Sequence, residues 1–222
     1  MRASSSGILD DFYPASDGKP LAETQVHFAL FASLYGFLEY WLKPRGIYLA
    51  GNMFLYYKEG DPKARRTPDL MAVKGVNVER KRRSFMTWVE KAVPCWVLEL
   101  TSKKTAKEDR GAKRRLYRRL GVREYFMFDP LNDYLPRQLM GFRLSGSVYQ
   151  RMESESDGGL TSKELGLRFV PDGNDLLVFE SKTGKKLLSY EDLQEMYKRI
   201  AELEAELARA KSSPKGKASG RR

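Results

Sequence analysis

Residues 67–73 read TPDLMAV, and residues 94–120 read PCWVLELTSKKTAKEDRGAKRRLYRRL. The apolar run Trp96–Leu100, introduced by Pro94, predicts a short buried strand, and Glu99 stands inside it. Strand alternation sets Glu99 on the face of Val97 and leaves Trp96, Leu98 and Leu100 on the other. A carboxylate within an apolar strand is costly unless it is paired, hydrogen-bonded or bound to a cation. A hard divalent ion takes carboxylate oxygens and keeps several of its waters, so two carboxylates suffice to hold it. Asp69, behind Pro68 at the head of a second short strand around Leu70–Val73, supplies the second. The competing reading is a buried ion pair with one of the many basic residues, and these two carboxylates alone favour it.

The next segment shifts that balance. Thr105 to Leu120 predicts a helix closed by Gly121. Asp109, Lys113, Leu116, Tyr117 and Leu120 fall on one helical face, while Arg114, Arg115, Arg118 and Arg119 take the solvated sides. Lys113 therefore shares the stripe that Leu116 and Leu120 bury. It either snorkels or pairs with Asp109, or it aims its ammonium at a phosphate or an attacking water beside Glu99. Between Lys103 and Arg123 stand ten basic residues and two acidic ones, more than a solvated face requires. Such a helix is suited to tracking a phosphate backbone.

Outward from this centre, Glu124–Phe128 predicts another strand, ended by Asp129-Pro130. On the N-terminal side, Leu21 to Leu42 predicts an amphipathic helix stopped by Pro44 and Gly46. Glu23 and His27, the sole histidine, lie one turn apart on it. A single histidine is more often a boundary residue than a ligand. Strand-like runs follow at Ile47–Ala50 and Met53–Tyr57, with a turn or bulge at GNMF between them. Residues 77–91 predict a charged excursion or short helix. Up to Ser189 the chain predicts short strands at Leu139–Leu144, Val148–Met152 and Leu176–Glu180, separated by turns such as Asp157-Gly158-Gly159 and Pro171-Asp172-Gly173. The last helix, Tyr190–Lys211, spaces Leu193, Met196, Ile200, Leu203 and Leu207 by 3, 4, 3 and 4, a short heptad seam. The expected organisation is a loose arm at 1–19, one domain at 20–189, the amphipathic or coiled-coil helix at 190–211 and a basic tail at 212–222.

The chain has 222 residues and a net charge of +11. The terminal stretch 211–222 carries five positive charges and no negative ones, so the remaining body is still basic. A basic body suits a polyanionic partner, because phosphates neutralised by Lys and Arg release counterions. One cysteine, Cys95, rules out an internal disulfide and a thiolate metal cage. With no apolar run long enough to span a bilayer and no apolar leader, the expected location is the cytoplasm, with no membrane partner. A Gly-rich phosphate loop, a Ser–His–Asp order and a Cys–His zinc pattern are all absent from the sequence.

Taken together, ETQVH, GNMFLYYKEGDP, TPDLMAV, VLELTSKKTAKEDRGAKRRLY, LGVREYFMFDP, LMGFRL and GLTSKELGL resemble the Uma family of bacterial endonucleases, a branch of the PD-(D/E)XK superfamily. The resemblance covers about residues 20–190. It implies an α/β (α+β) fold with a restriction-endonuclease-like core, a central mixed β-sheet flanked by helices. It also implies Mg²⁺- or Mn²⁺-dependent phosphodiester cleavage of DNA at Asp69, Glu99 and a lysine, the main-chain carbonyl of Leu100 completing the metal site. The strict superfamily motif has its lysine two residues after the strand glutamate, where this chain has Thr101. In the Uma branch the lysine sits on the following helix, which matches Lys113; Lys103 and Lys104 are the other candidates. Glu23 is the candidate for the outer shell, and His27 and Asp109 are further accessories. Arg82, Arg83, Lys107, Arg110, Arg114 and Arg118 are expected to hold the nucleic acid. A non-catalytic nucleic-acid-binding protein on the same fold is the alternative that Thr101 favours. A homodimer through the core or the C-terminal helix is the expected assembly.

Overall fold

The computed structural model describes residues 12–16 and 25–212. Glu23, most of the expected arm and the tail beyond residue 212 lie outside the described residues. The chain divides into two compact units, residues 1–187 and 188–222.

In the first unit, α1 (Gln25–Leu42) buries Leu30, Leu34, Leu38 and Leu42, a stripe at every fourth residue. Each fully buried leucine contributes roughly 1.5–3 kcal/mol relative to exposure. A tight turn over Lys43–Arg45 ends α1, with Pro44 unable to continue it and Gly46 at φ 69°. Then come β1 (Ile47–Gly51), β2 (Leu55–Tyr56), β3 (Arg65–Arg66), β4 (Leu70–Lys74), β5 (Phe85–Met86) and the single turn α2 (Thr87–Glu90). After β6 (Trp96–Leu100), one continuous helical segment comprises α3 (Ala106–Glu108), a π-helical turn (Asp109–Lys113) and α4 (Arg114–Leu120). Gly121 closes it in the left-handed conformation that glycine adopts without a Cβ penalty, as its position predicts. The rest is strand: β7 (Glu124–Phe128), β8 (Leu139–Ser145), β9 (Val148–Arg151), β10 (Leu160–Ser162), β11 (Leu167–Asp172) and β12 (Asp175–Glu180).

The fold is mixed α/β around a six-stranded sheet in the order β1-β4-β6-β7-β8-β9. Only β6 and β7 run parallel, joined by the helical crossover; every other neighbouring pair is antiparallel. Alternation sorts the sheet into two cores. Trp96, Leu98, Leu100, Phe126 and Phe128 face α1 and the β10-β11-β12 sheet, where Trp96 stacks on Phe169 at 5.4 Å. Val97, Tyr125 and Met127 face the other way, onto Tyr117 of α4 and Leu55 and Phe85 of the small β3-β2-β5 sheet.

Three local expectations are corrected. The strand expected at Met53–Tyr57 is only Leu55–Tyr56, because Asn52 takes φ 47° and swings the chain out of β1. The strands β10 and β11 do not appear among the sequence expectations. Their short polar-apolar alternation is interrupted by Pro171-Asp172, which reads as a turn but closes β11. Pro171 is tolerated there because it lies beyond the end of β10, where no ladder neighbour needs its missing N–H. The turn itself is at Gly173, φ 57°.

The second unit holds α5 (Tyr190–Ser212). Ser189 caps it: Ser189 Oγ accepts the Asp192 N–H, and Asp192 Oδ2 accepts the Ser189 N–H at 2.8 Å. Among the described residues no helix is long and apolar enough to cross a membrane.

Candidate active site

The β4–β6 ladder pairs Leu70 with Leu98 and Met71 with Val97. Continued by one step, that register sets Asp69 opposite Glu99. Directly opposed residues of an antiparallel pair share a face, so the sequence order Pro-Asp-strand and Glu-in-strand becomes two carboxyl groups side by side. Asp69 is fixed there by the Leu100 N–H, which donates to Oδ2 at 2.6 Å. Glu99 lies on the Val97 face, as alternation predicts, and is 1% exposed.

The helical crossover covers that face. Lys113 Nζ donates to Glu99 Oε2 at 2.8 Å, and Tyr117 Oη donates to Glu99 Oε1 at 2.8 Å. Lys113 Nζ also lies 2.9 Å from Asp109 Oδ1, one turn back. Asp109 is fully buried, and its Oδ2 has no hydrogen-bond partner among the described residues. A π-helical turn spans Asp109 to Lys113, and both side chains are buried on the sheet side. Tyr125 Oη braces the turn by donating to the Asp109 carbonyl at 3.0 Å.

Three carboxyl groups thus surround one ammonium. Burial, opposed by Lys113, pushes Glu99 up to about 8 and Asp69 up to about 6. Burial also disfavours the Lys113 ammonium, but Glu99 and Asp109 outweigh it and hold the lysine above its ordinary range. The deficit is of positive charge. All-oxygen donors with more carboxylate than ammonium fit a hard divalent cation. Among the described residues no three His, Cys, Asp or Glu side chains are arranged to hold a metal ion. A cation here would therefore rest on Asp69 and Glu99, with a main-chain oxygen and water completing its shell.

Other buried carboxylates of the sheet are differently served. Glu124 takes Arg143 Nε at 2.9 Å, Ser162 Oγ and the Lys163 N–H, which ties the β10–β11 hairpin to the central sheet. Asp129 accepts the N–H groups of Leu131, Tyr134 and Leu135 and closes the loop after β7. Each has its acceptors met by hydrogen-bond donors with no competing carboxylate. Glu99, by contrast, shares the Lys113 ammonium with Asp109 and lies opposite Asp69.

The remaining sequence candidates distribute as follows. Lys103 and Lys104 are exposed in the turn before α3, so the buried ammonium is that of Lys113. Thr101 is buried next to the site, its Oγ1 without a hydrogen-bond partner among the described residues. His27 is half-buried on α1, which packs on the sheet face opposite Glu99. Arg82 is not available to a phosphate: it grips both oxygens of Glu90 at 2.9 Å, caps the Asn77 and Arg80 carbonyls, and lies 4.3 Å over Tyr48. Sequence reading missed this, since nothing local marks Glu90 as its partner eight residues on. Arg83, Lys107 and Arg110 are exposed, and Arg114 and Arg118 half-exposed. Lys107, Arg110 and Arg114 line a shallow groove with Met127, Met140 and Phe142, and Met127 is the register partner of Glu99. Tyr117, which the sequence places on the buried helix face, and Tyr125, which it places only in the strand Glu124–Phe128, both make polar contacts through their hydroxyls.

A family model, Uma2, described as "Putative restriction endonuclease", matches residues 13–171. No curated protein matches the chain. Among solved structures the chain is similar to a "putative nuclease belonging to DUF820" from Anabaena variabilis, at 16% identity and a TM-score of 0.49, over 81% of this chain and 87% of the other.

Proposed function

Because the chain belongs to the Uma2 family, we propose that it is a divalent-metal-dependent endonuclease that hydrolyses phosphodiester bonds in DNA. The observation that carries the reading is the buried Glu99 carboxylate, opposite Asp69 and held at 2.8 Å by both Lys113 and Tyr117. Asp69, Glu99 and the Leu100 carbonyl are the residues that would hold Mg²⁺ or Mn²⁺. When bound, the ion supplies charge neutralisation at the scissile phosphate and a more acidic water.

The chain's own groups do the rest. Lys113 works as a fixed cation rather than a base, because its two carboxylate neighbours keep its proton on. It orients the attacking water and meets the charge that grows on the phosphate oxygens. Asp109 and Tyr117 position it and Glu99. With Lys113 delivering an ammonium to Glu99 from the helix, a threonine at 101 is compatible with catalysis. Lys107, Arg110, Arg114 and Arg118 engage the DNA backbone beside the site, sequence-independent contacts that fix register.

The test is nicking of supercoiled plasmid by the purified chain in Mg²⁺ or Mn²⁺, with EDTA and the variants Asp69→Ala and Glu99→Ala as controls. Metal-dependent nicking lost in both variants, with DNA binding retained, is expected. Nicking that survives either substitution would overturn the site. Binding without any nicking would turn the reading to a non-catalytic DNA-binding protein.

A further inference from the structure

Helix α5 presents Leu193, Met196, Ile200, Leu203 and Leu207 between 40% and 55% exposed. Single exposed apolar residues need no explanation, but five along one stripe of one helix form a contiguous apolar face. Their spacing places Leu193, Ile200 and Leu207 at heptad position a, and Met196 and Leu203 at d. The flanking positions then become readable. Arg199 and Glu206 occupy g, and Tyr197, Glu204 and Lys211 occupy e.

In a parallel pair each g residue meets the e residue five places later on the other helix. Arg199 then faces Glu204 of the second copy, and Glu206 faces Lys211 of the second copy. Both pairs are attractive, and two-fold symmetry makes each occur twice. In an antiparallel pair with Ile200 opposite Leu203, g meets g and e meets e. Arg199 then faces Glu206, but Glu204 faces Tyr197 and Lys211 has no acidic neighbour at e. Ile200 at a and Leu203 at d are also the residue types that favour two parallel strands. Arg199 already holds Glu202 of its own helix at 3.1 Å, and its guanidinium keeps further donors for a second carboxylate.

We infer that α5 is a self-association helix on which two copies of this chain join as a parallel coiled coil. The seam from Leu193 to Leu207 is short, about 22 Å of helix, so the dimer is in exchange with monomer and its population depends on concentration. The inference stands apart from the nuclease reading, since it draws only on α5.

Sedimentation velocity of the full chain over a wide concentration range tests it. A concentration-dependent dimer is expected, abolished by Ile200→Asp. Arg199→Glu weakens it at least tenfold, and the double change Arg199→Glu with Glu204→Arg restores it, which separates pairing from loss of helix. Leu203→Cys places two thiols together only in the parallel arrangement, and mild oxidation should yield a covalent dimer. A chain monomeric at every concentration, or a dimer indifferent to Ile200→Asp, would overturn the inference. A dimer that Leu203→Cys fails to cross-link would overturn its parallel form.

Discussion

The Tyr117 hydroxyl donates a hydrogen bond to Glu99 Oε1 at 2.8 Å from a ring with no exposure, packed 5.2 Å from that of Tyr125. The contact links the last turns of the helical crossover to the strand beneath, and it fixes the direction of the carboxylate. Tyr117→Phe keeps the ring and removes the donor. An unmet buried acceptor costs about 1–3 kcal/mol, and protonation of Glu99 offsets part of it, so about 1 kcal/mol is expected by urea unfolding in EDTA. Nicking should fall about tenfold, with more Mg²⁺ needed for half-maximal rate. An unchanged Mg²⁺ titration would reduce the hydroxyl to a packing role.

The buried carboxyls make metal-free stability depend on pH. With Glu99 raised to about 8 and Asp69 to about 6, the folded chain between pH 6 and 8 keeps a proton on Glu99 that the unfolded chain has released. Raised carboxyl values mean that stability falls as pH rises, by up to about 1.4 kcal/mol per pH unit in that window for one group. On the proposed function Mg²⁺ would bind the deprotonated form, so it should flatten the fall and release protons. Urea midpoints across this range, in EDTA and in Mg²⁺, give the measurement. Stability that climbs from pH 6 to 8 in EDTA would contradict the assignment.

Arg82 and the crossover helix should separate cleanly. Arg82→Ala strips Glu90 of the nearer of its two arginine partners, a side chain 2% exposed, and leaves Arg80 at 3.4 Å, at a cost of about 2 kcal/mol, while the salt dependence of DNA binding stays as it was. Lys107→Ala and Arg110→Ala should leave the melting temperature alone and each lower the salt slope of binding by about 1. The opposite pattern would relocate the DNA surface to the Arg82 loop.

Cys95 should be inert. Burial pushes its thiol up to about 11, and its Sγ donates to the Ala72 carbonyl at 3.3 Å. Thiolate is the reactive form, so alkylation at pH 8 should proceed only as fast as the fold opens. Mass spectrometry of iodoacetamide-treated native protein checks this, and rapid single modification would show that the entry to β6 is less protected than its burial implies.

Legibility in the sequence followed the range of the interaction. The β6 alternation, the Gly121 stop and the face shared by Asp109, Lys113 and Tyr117 are local periodicities, and each is seen in the structure. Asp69 opposite Glu99 depends on a ladder register between segments thirty residues apart, and no local pattern states it. Arg82 illustrates the converse: its charge is visible in the sequence, but its use is set by Glu90 and the Tyr48 ring. The π-helical turn was hidden because its sequence, DRGAK, also fits an ordinary helix; the Tyr125 hydroxyl that braces it comes from the following strand.

That turn has a consequence for how the site can drift. A π-turn holds about one residue more than an α-turn, so a deletion within it can be absorbed. The α-helix that follows advances about 100° per residue, and one residue added or lost between Lys113 and Tyr117 would carry Tyr117 away from Glu99 while Asp109 and Lys113 stayed in place. The ammonium is set by helix phase, not by distance along the strand. Substitutions at Thr101 are correspondingly free of the cationic requirement, whereas a single insertion or deletion between Lys113 and Tyr117 would remove half of the carboxylate's support.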